Sequence, residues 1–123
     1  MKKVILYVSI ENGEGTIEKT TSGIKNKDSI IYDDDGTKTK MKISNKVIKI
    51  TRKNKEYSIE LNFKENSKTI CKYLIYKDNI NIELDLYTSI IEKKENSVKI
   101  KYELYNKKEK VGDYKYQINV RED

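Results

Sequence analysis

Arg52 is the side chain with the most specific chemistry to offer. It follows Ile48 and Ile50 at a spacing of two, so in an extended strand it shares their face. If that face is an interior, the guanidinium needs partners there and is a natural anchor for a carboxylate or a phosphate. The blander reading is a stem packed near a barrel end, with its head on a carboxylate or on backbone carbonyls of the chain itself. Tyr57, Tyr73 and Tyr102, like Tyr76, Tyr114 and Tyr116, also fall in strand-like runs. An inward tyrosine brings a large apolar ring and one hydroxyl. That suits a ligand cavity, and it equally suits a filled core whose hydroxyls reach a rim.

The remaining reactive types are poorly placed for catalysis. The chain has no His, which removes the usual general base and the commonest metal ligand. Cys71 is the single cysteine. Without a neighbouring base it reads as a small buried hydrophobe rather than a nucleophile. Asp33, Asp34 and Asp35 are consecutive, whereas a calcium loop needs ligands at alternating positions and a distal Glu; they read as a solvated hairpin tip. Lys38, Lys40 and Lys42, with Lys99 and Lys101, suggest a basic stripe, but a single-strand binder also needs exposed aromatics for base stacking. Lysines also guard sheet edges and keep sheets soluble.

The elements that must position these residues repeat one pattern along the chain: a run of period two, then a turn of Asn, Asp, Gly, Ser or Lys. Val4 to Ile10 is the first run and Thr16 to Ser22 the second, ending at Gly23. Ile24 to Tyr32 is broken near Asn26 and Asp28. Asp35-Gly36 is a hairpin signal. Thr37 to Ile43 places Thr37, Thr39, Met41 and Ile43 on one face and lysines on the other. Val47 to Arg52, Glu56 to Phe63, Thr69 to Tyr76, Ile80 to Glu92, Ser97 to Tyr105 and Tyr114 to Val120 complete about ten runs. In the longest, Ile80, Ile82, Leu84 and Leu86 form the inner set. Short links force antiparallel neighbours, and a sheet of this size with one apolar face must close or fold over. The expected fold is all-β: one domain over residues 1–123, an antiparallel up-and-down barrel of eight to ten strands, with a two-sheet sandwich as competitor.

Composition agrees. The chain has no Ala and no Pro, and Lys, Ile, Asn and Tyr make up about half of its 123 residues. Ala is the best helix former, and Ile and Tyr favour pleated surfaces. The formal net charge of +6 comes from 24 Lys and only 2 Arg. All four abundant types have AT-rich codons, so a low-GC genome produces this bias without selection for a polyanion. Lys2 and Lys3 before Val4 to Ile10 imitate a signal peptide, but the apolar run is short and lacks a small-residue cleavage site, so it is expected to be the first strand. No apolar run approaches a membrane span, and a lone cysteine gives no sign of an oxidising compartment. A cytoplasmic location is the expectation.

From Thr37 onward the order of elements is similar to that of the YwiB-like family, a bacterial domain of unknown function common in Firmicutes. The residues that carry the likeness are Arg52 after a Val/Ile-rich strand, Thr69 with Tyr73, the Leu-rich stretch Ile82 to Thr88, and Ile100 with Tyr102. Upstream, Thr20-Thr21-Ser22-Gly23 resembles the family's Thr-Thr-Gly strand end. Where the family usually has glycines after the arginine and at the next hairpin, this chain has Lys53-Asn54 and Asp78-Asn79; Asn tolerates the left-handed conformation. The resemblance implies a calycin-like, lipocalin-like barrel and no established activity.

The sequence thus predicts a non-enzymatic barrel that binds a small apolar or amphipathic anion inside, with Arg52 as anion anchor and Tyr57, Tyr73 and Tyr102 as lining. No cofactor, metal, nucleic acid or membrane is called for. The alternative is an interaction module for protein or single-stranded nucleic acid, using the Lys-rich outer face.

Overall fold

A computed structural model describes residues 1–122. Ten strands follow one another, with no helix among the described residues: β1 (Lys2–Asn12), β2 (Gly15–Lys25), β3 (Ser29–Asp34), β4 (Thr37–Ser44), β5 (Val47–Lys53), β6 (Tyr57–Lys64), β7 (Ser67–Ile75), β8 (Ile80–Lys94), β9 (Ser97–Asn106) and β10 (Glu109–Glu122). Each pairs antiparallel with its neighbour in sequence, and β1 pairs with β10 as well as β2, so the sheet closes on itself. The fold is therefore a closed ten-stranded up-and-down barrel, consistent with a calycin-like barrel. Closure removes both free edges and puts the inner face of every strand into one core.

That core holds the period-two set. Val4, Leu6 and Val8 of β1, Ile48 and Ile50 of β5, Val98 and Ile100 of β9, and Ile118 of β10 are all buried, as are Met41, Phe63 and Leu86. We call upper the end carrying the β1–β2, β3–β4, β5–β6, β7–β8 and β9–β10 connections, and lower the other. At the upper end, Asp35 and Gly36 both have positive φ, 50° and 90°, the backbone of the two-residue hairpin that Asp-Gly predicts. Asn79 takes the left-handed conformation at φ 49°. Asn54 works differently: its side-chain oxygen accepts hydrogen bonds from the backbone N–H groups of Glu56 and Tyr57, at 2.8 and 2.9 Å.

Three features depart from the pattern read along the sequence. Gly23 does not end a strand. It lies within β2, and a Cβ there would meet Leu6 Cδ1 at 2.6 Å and Ile31 O at 2.9 Å, so glycine is required by close approach. Ile80 and Ile82 are 41% and 40% exposed, because β9 pairs with β8 only from Asp85 onward and the first turns of β8 project past the rim. A bulge between Thr88 and Ile90 then shifts the phase of β8, so that Ile91 packs on the core.

Candidate functional site

One line of Cα partners crosses the wall obliquely, from near the lower end of β2 to the upper end of β8: Gly23, Tyr32, Thr39, Arg52, Ile59, Tyr73 and Ile82, one from each of β2 to β8. Alternation fixes its direction. Thr39 shares the phase of buried Met41, and Arg52 that of buried Ile48 and Ile50, so both lie on the inner face. Arg52 is thus carried into the barrel end, as its spacing predicts, with about a quarter of its side chain exposed.

The guanidinium is partly committed. Arg52 Nη2 donates to Asp34 Oδ2 at 3.0 Å, and Lys19 Nζ binds the other Asp34 oxygen and reaches Asp35 Oδ2 at 3.1 Å. These ion pairs have a structural task. β2 and β3 pair over only three residues each, Gly23–Lys25 with Ile30–Tyr32, and above them the seam is spanned by side chains. The three aspartates therefore do not form a uniform solvated tip. Asp34 turns inward to Arg52, whereas Asp33 is exposed and accepts a hydrogen bond from the Gly36 N–H at 2.7 Å.

Not every donor of Arg52 is used. Its Nε is buried without a partner, and so is Oγ1 of the directly opposed Thr39, a fully buried residue. Beside them the Tyr32 and Tyr116 hydroxyls share a hydrogen bond of 2.7 Å. Burial pushes the hydroxyls of Tyr32, Tyr102 and Tyr116 above the ordinary tyrosine range, and the Arg52 charge pulls all three back. They stay protonated at neutral pH, so each hydroxyl keeps a proton to donate, and in the Tyr32–Tyr116 pair one donates to the other. Tyr102 stacks on Tyr114 at 5.2 Å and meets Phe63 edge-on at 4.9 Å. Tyr57 stacks on Tyr73 at 5.6 Å, both half-buried.

The structure therefore brings Arg52 and Tyr102 within one electrostatic neighbourhood and places the Tyr57–Tyr73 stack at the same end of the barrel. Sequence reasoning did not single out Tyr32, Asp34 or Lys19 as partners of Arg52. The signal available was the phase of Ile30, Tyr32 and Asp34. Hollows of about 450 to 880 Å³ lie on the outer wall and at the barrel ends, and none of these five is lined by Arg52. Burial pushes the Cys71 thiol up to about 11, so it is a poor nucleophile at neutral pH. Among the described residues no three His, Cys, Asp or Glu side chains are grouped to hold a metal ion. Among the described residues, too, no helix is long and apolar enough to cross a membrane.

This barrel, with its arginine turned inward from the fifth strand, belongs to the family described as Domain of unknown function (DUF1934), whose profile matches residues 4–118. Among solved structures it is similar to the crystal structure of the ywiB protein from Bacillus subtilis, with a TM-score of 0.67 at 20% identity, over 98% of this chain and 90% of that one. No curated protein matches the chain. At that identity the structural likeness establishes the fold.

Proposed function

We propose that the chain is a non-enzymatic binding barrel whose ligand is a small amphipathic anion, held at the upper end with its acidic group on Arg52. The observation that carries this is that the directly opposed residues Arg52 and Thr39 each hold a buried, unpartnered polar atom, Nε and Oγ1. A buried polar group without a partner costs roughly 1–3 kcal/mol, which a bound acceptor recovers. A carboxylate can accept from both, while Asp34 keeps its hydrogen bond from Nη2. Ile59 and the Tyr57–Tyr73 stack supply an apolar wall on the same line of partners and at the barrel rim. Entry requires these half-buried tyrosines to swing aside. The reading as a binder rests on chemistry: no His, a thiol pushed up by burial, and tyrosines held protonated.

The test is native mass spectrometry of the purified protein, followed by titration with decanoate. One equivalent is expected on the wild type, with binding lost in Arg52→Leu and weakened about tenfold in Thr39→Val. Failure of the wild type to retain any small molecule or to bind decanoate overturns the proposal.

A second reading, an interaction module for protein or single-stranded nucleic acid, is favoured by the outer wall of β4 and β5. There Lys38 opposes Lys53, and Lys42 opposes Lys49, whose ammonium is already paired with Glu60 at 2.9 Å. Like charges directly opposed are destabilising, and an anionic partner would relieve them. A salt-dependent mobility shift with single-stranded oligonucleotide supports this reading, and its loss on Lys38→Gln/Lys53→Gln locates it.

A further inference from the structure

The lower end of the barrel has a separate hollow of about 650 Å³, formed where the β2–β3 loop faces the β8–β9 turn. Five lysines line it, Lys25, Lys27, Lys42, Lys93 and Lys94, against two carboxylates, Asp28 and Glu95. Among the described residues none of these five is in an ion pair. At the upper end the inward cations Lys19 and Arg52 are both neutralised. The floor of the hollow is hydrocarbon: Ile30 and Val98 are buried, and Ile43 and Val120 are half-buried. Its walls are pinned by backbone hydrogen bonds, Ile43 N–H to Asp28 O at 2.7 Å and Val120 N–H to Asn96 O at 2.8 Å. The ammonium groups are thus mounted on fixed walls around an apolar floor.

We infer that this lower hollow binds a phosphate monoester carrying an aliphatic chain. Five ammoniums facing two carboxylates leave an excess that a single carboxylate ligand only partly offsets, whereas a phosphate monoester carries close to two charges at neutral pH and three acceptor oxygens. Lysine suits a phosphate as a compact point charge with three donors. The aliphatic chain covers the floor, which a bare inorganic anion would leave wet. A nucleic acid fits less well, because no Tyr or Phe lines the hollow to stack a base. Such a ligand comes either free in solution or as the head group of an anionic lipid.

Calorimetric titration with octyl phosphate below its micellar concentration, beside inorganic phosphate, tests the inference. Vesicle flotation with phosphatidate in phosphatidylcholine separates the two sources. The expected result is one-to-one binding of octyl phosphate at least tenfold tighter than inorganic phosphate. That binding should weaken with added salt and fall at least tenfold in Lys25→Gln/Lys42→Gln/Lys93→Gln. Lys93→Glu alone serves as a second variant, and thermal unfolding verifies that both fold. Flotation of the wild type but not the triple variant, without octyl phosphate binding, assigns the same chemistry to a lipid head group. Equal binding by the wild type and the triple variant, equal affinity for inorganic and octyl phosphate, or no binding to octyl phosphate together with no flotation overturns it.

Discussion

In the lower half of the barrel the interior ring is Ile43, Ile48 and Phe63, continued by Val98 and Ile118 on the opposite wall; in the upper half it is Tyr32, Thr39 and Arg52, continued by Tyr102 and Tyr116. Both sets occupy alternating inward positions, and β4, β5, β9 and β10 contribute to each. These lower-ring side chains are all hydrocarbon and are satisfied by packing alone. The upper half contains hydroxyls and a guanidinium that need partners, and finds some of them: Asp34 for Arg52, and Tyr116 for Tyr32. It leaves Arg52 Nε and Thr39 Oγ1 unpartnered. Packing accounts for the lower ring, whereas the upper ring carries polar groups that packing alone does not call for.

Alkaline titration should separate the two halves most sharply. Tyr32, Tyr102 and Tyr116 have their folded pKa values raised by burial. Their contribution is fully present below the unfolded value of about 10, and is lost as pH rises from there toward the folded values. Above pH 10 the unfolded chain releases protons that the folded chain keeps, so stability falls by up to about 1.4 kcal/mol per pH unit for each tyrosine. Urea midpoints between pH 9 and 11.5 should drop steeply in the wild type and more gently in Tyr32→Phe/Tyr116→Phe. Equal slopes would remove the distinction between the halves.

The next largest effect compares one substitution in the two rings. Ile48 is 2% exposed in the lower ring, and Ile59 is half-buried in the upper. Ile48→Ala should cost about 2–5 kcal/mol through lost burial and the cavity left behind. Ile59→Ala should cost about half as much, since solvent can reach the space. Urea midpoints at unchanged slope measure both.

The barrel was legible because ten strands of period two leave little else to build, and the inward placement of Arg52 and Tyr102 followed from phase alone. Much of the site was not. Lys19, Asp34 and Arg52 meet only because β2, β3, β4 and β5 follow one another around the upper end, with Arg52 reaching past β4, and Tyr32 and Tyr116 are 84 residues apart. The bulges at Thr88/Ile90 and Lys110/Gly112 depend on how two strands compete for register, which a single strand's pattern does not encode. The second hides the first residues of β10, whose alternation becomes regular only from Tyr114. The turn before it puts Lys107 and Lys108 at φ 54° and 88°, positions where Gly, Asn or Asp would have announced a hairpin. Gly23 had the reverse problem, since a glycine needed for packing looks in sequence like a stop.

Smaller effects probe the hydroxyls individually. Tyr32→Phe or Tyr116→Phe leaves the other hydroxyl buried without its partner, and each should cost about 1–2 kcal/mol, while the double variant should recover part of that loss. A double-mutant cycle by urea denaturation measures the coupling. Additive losses would mean that the 2.7 Å hydrogen bond contributes nothing specific.

The smallest expected effect has the opposite sign. Thr39 and Thr88 are both fully buried, and both hydroxyl oxygens lack a partner. Valine has nearly the same shape without the hydroxyl, so Thr39→Val and Thr88→Val should each stabilise by about 1 kcal/mol, read as a raised urea midpoint. Only Thr39 sits opposite Arg52. If the upper half is a binding site, Thr39→Val should gain stability and lose decanoate affinity together, whereas Thr88→Val should gain stability alone. A Thr39→Val protein that binds as well as the wild type would leave that hydroxyl with no role in the site, and would confine the difference between the halves to Arg52 and the tyrosines.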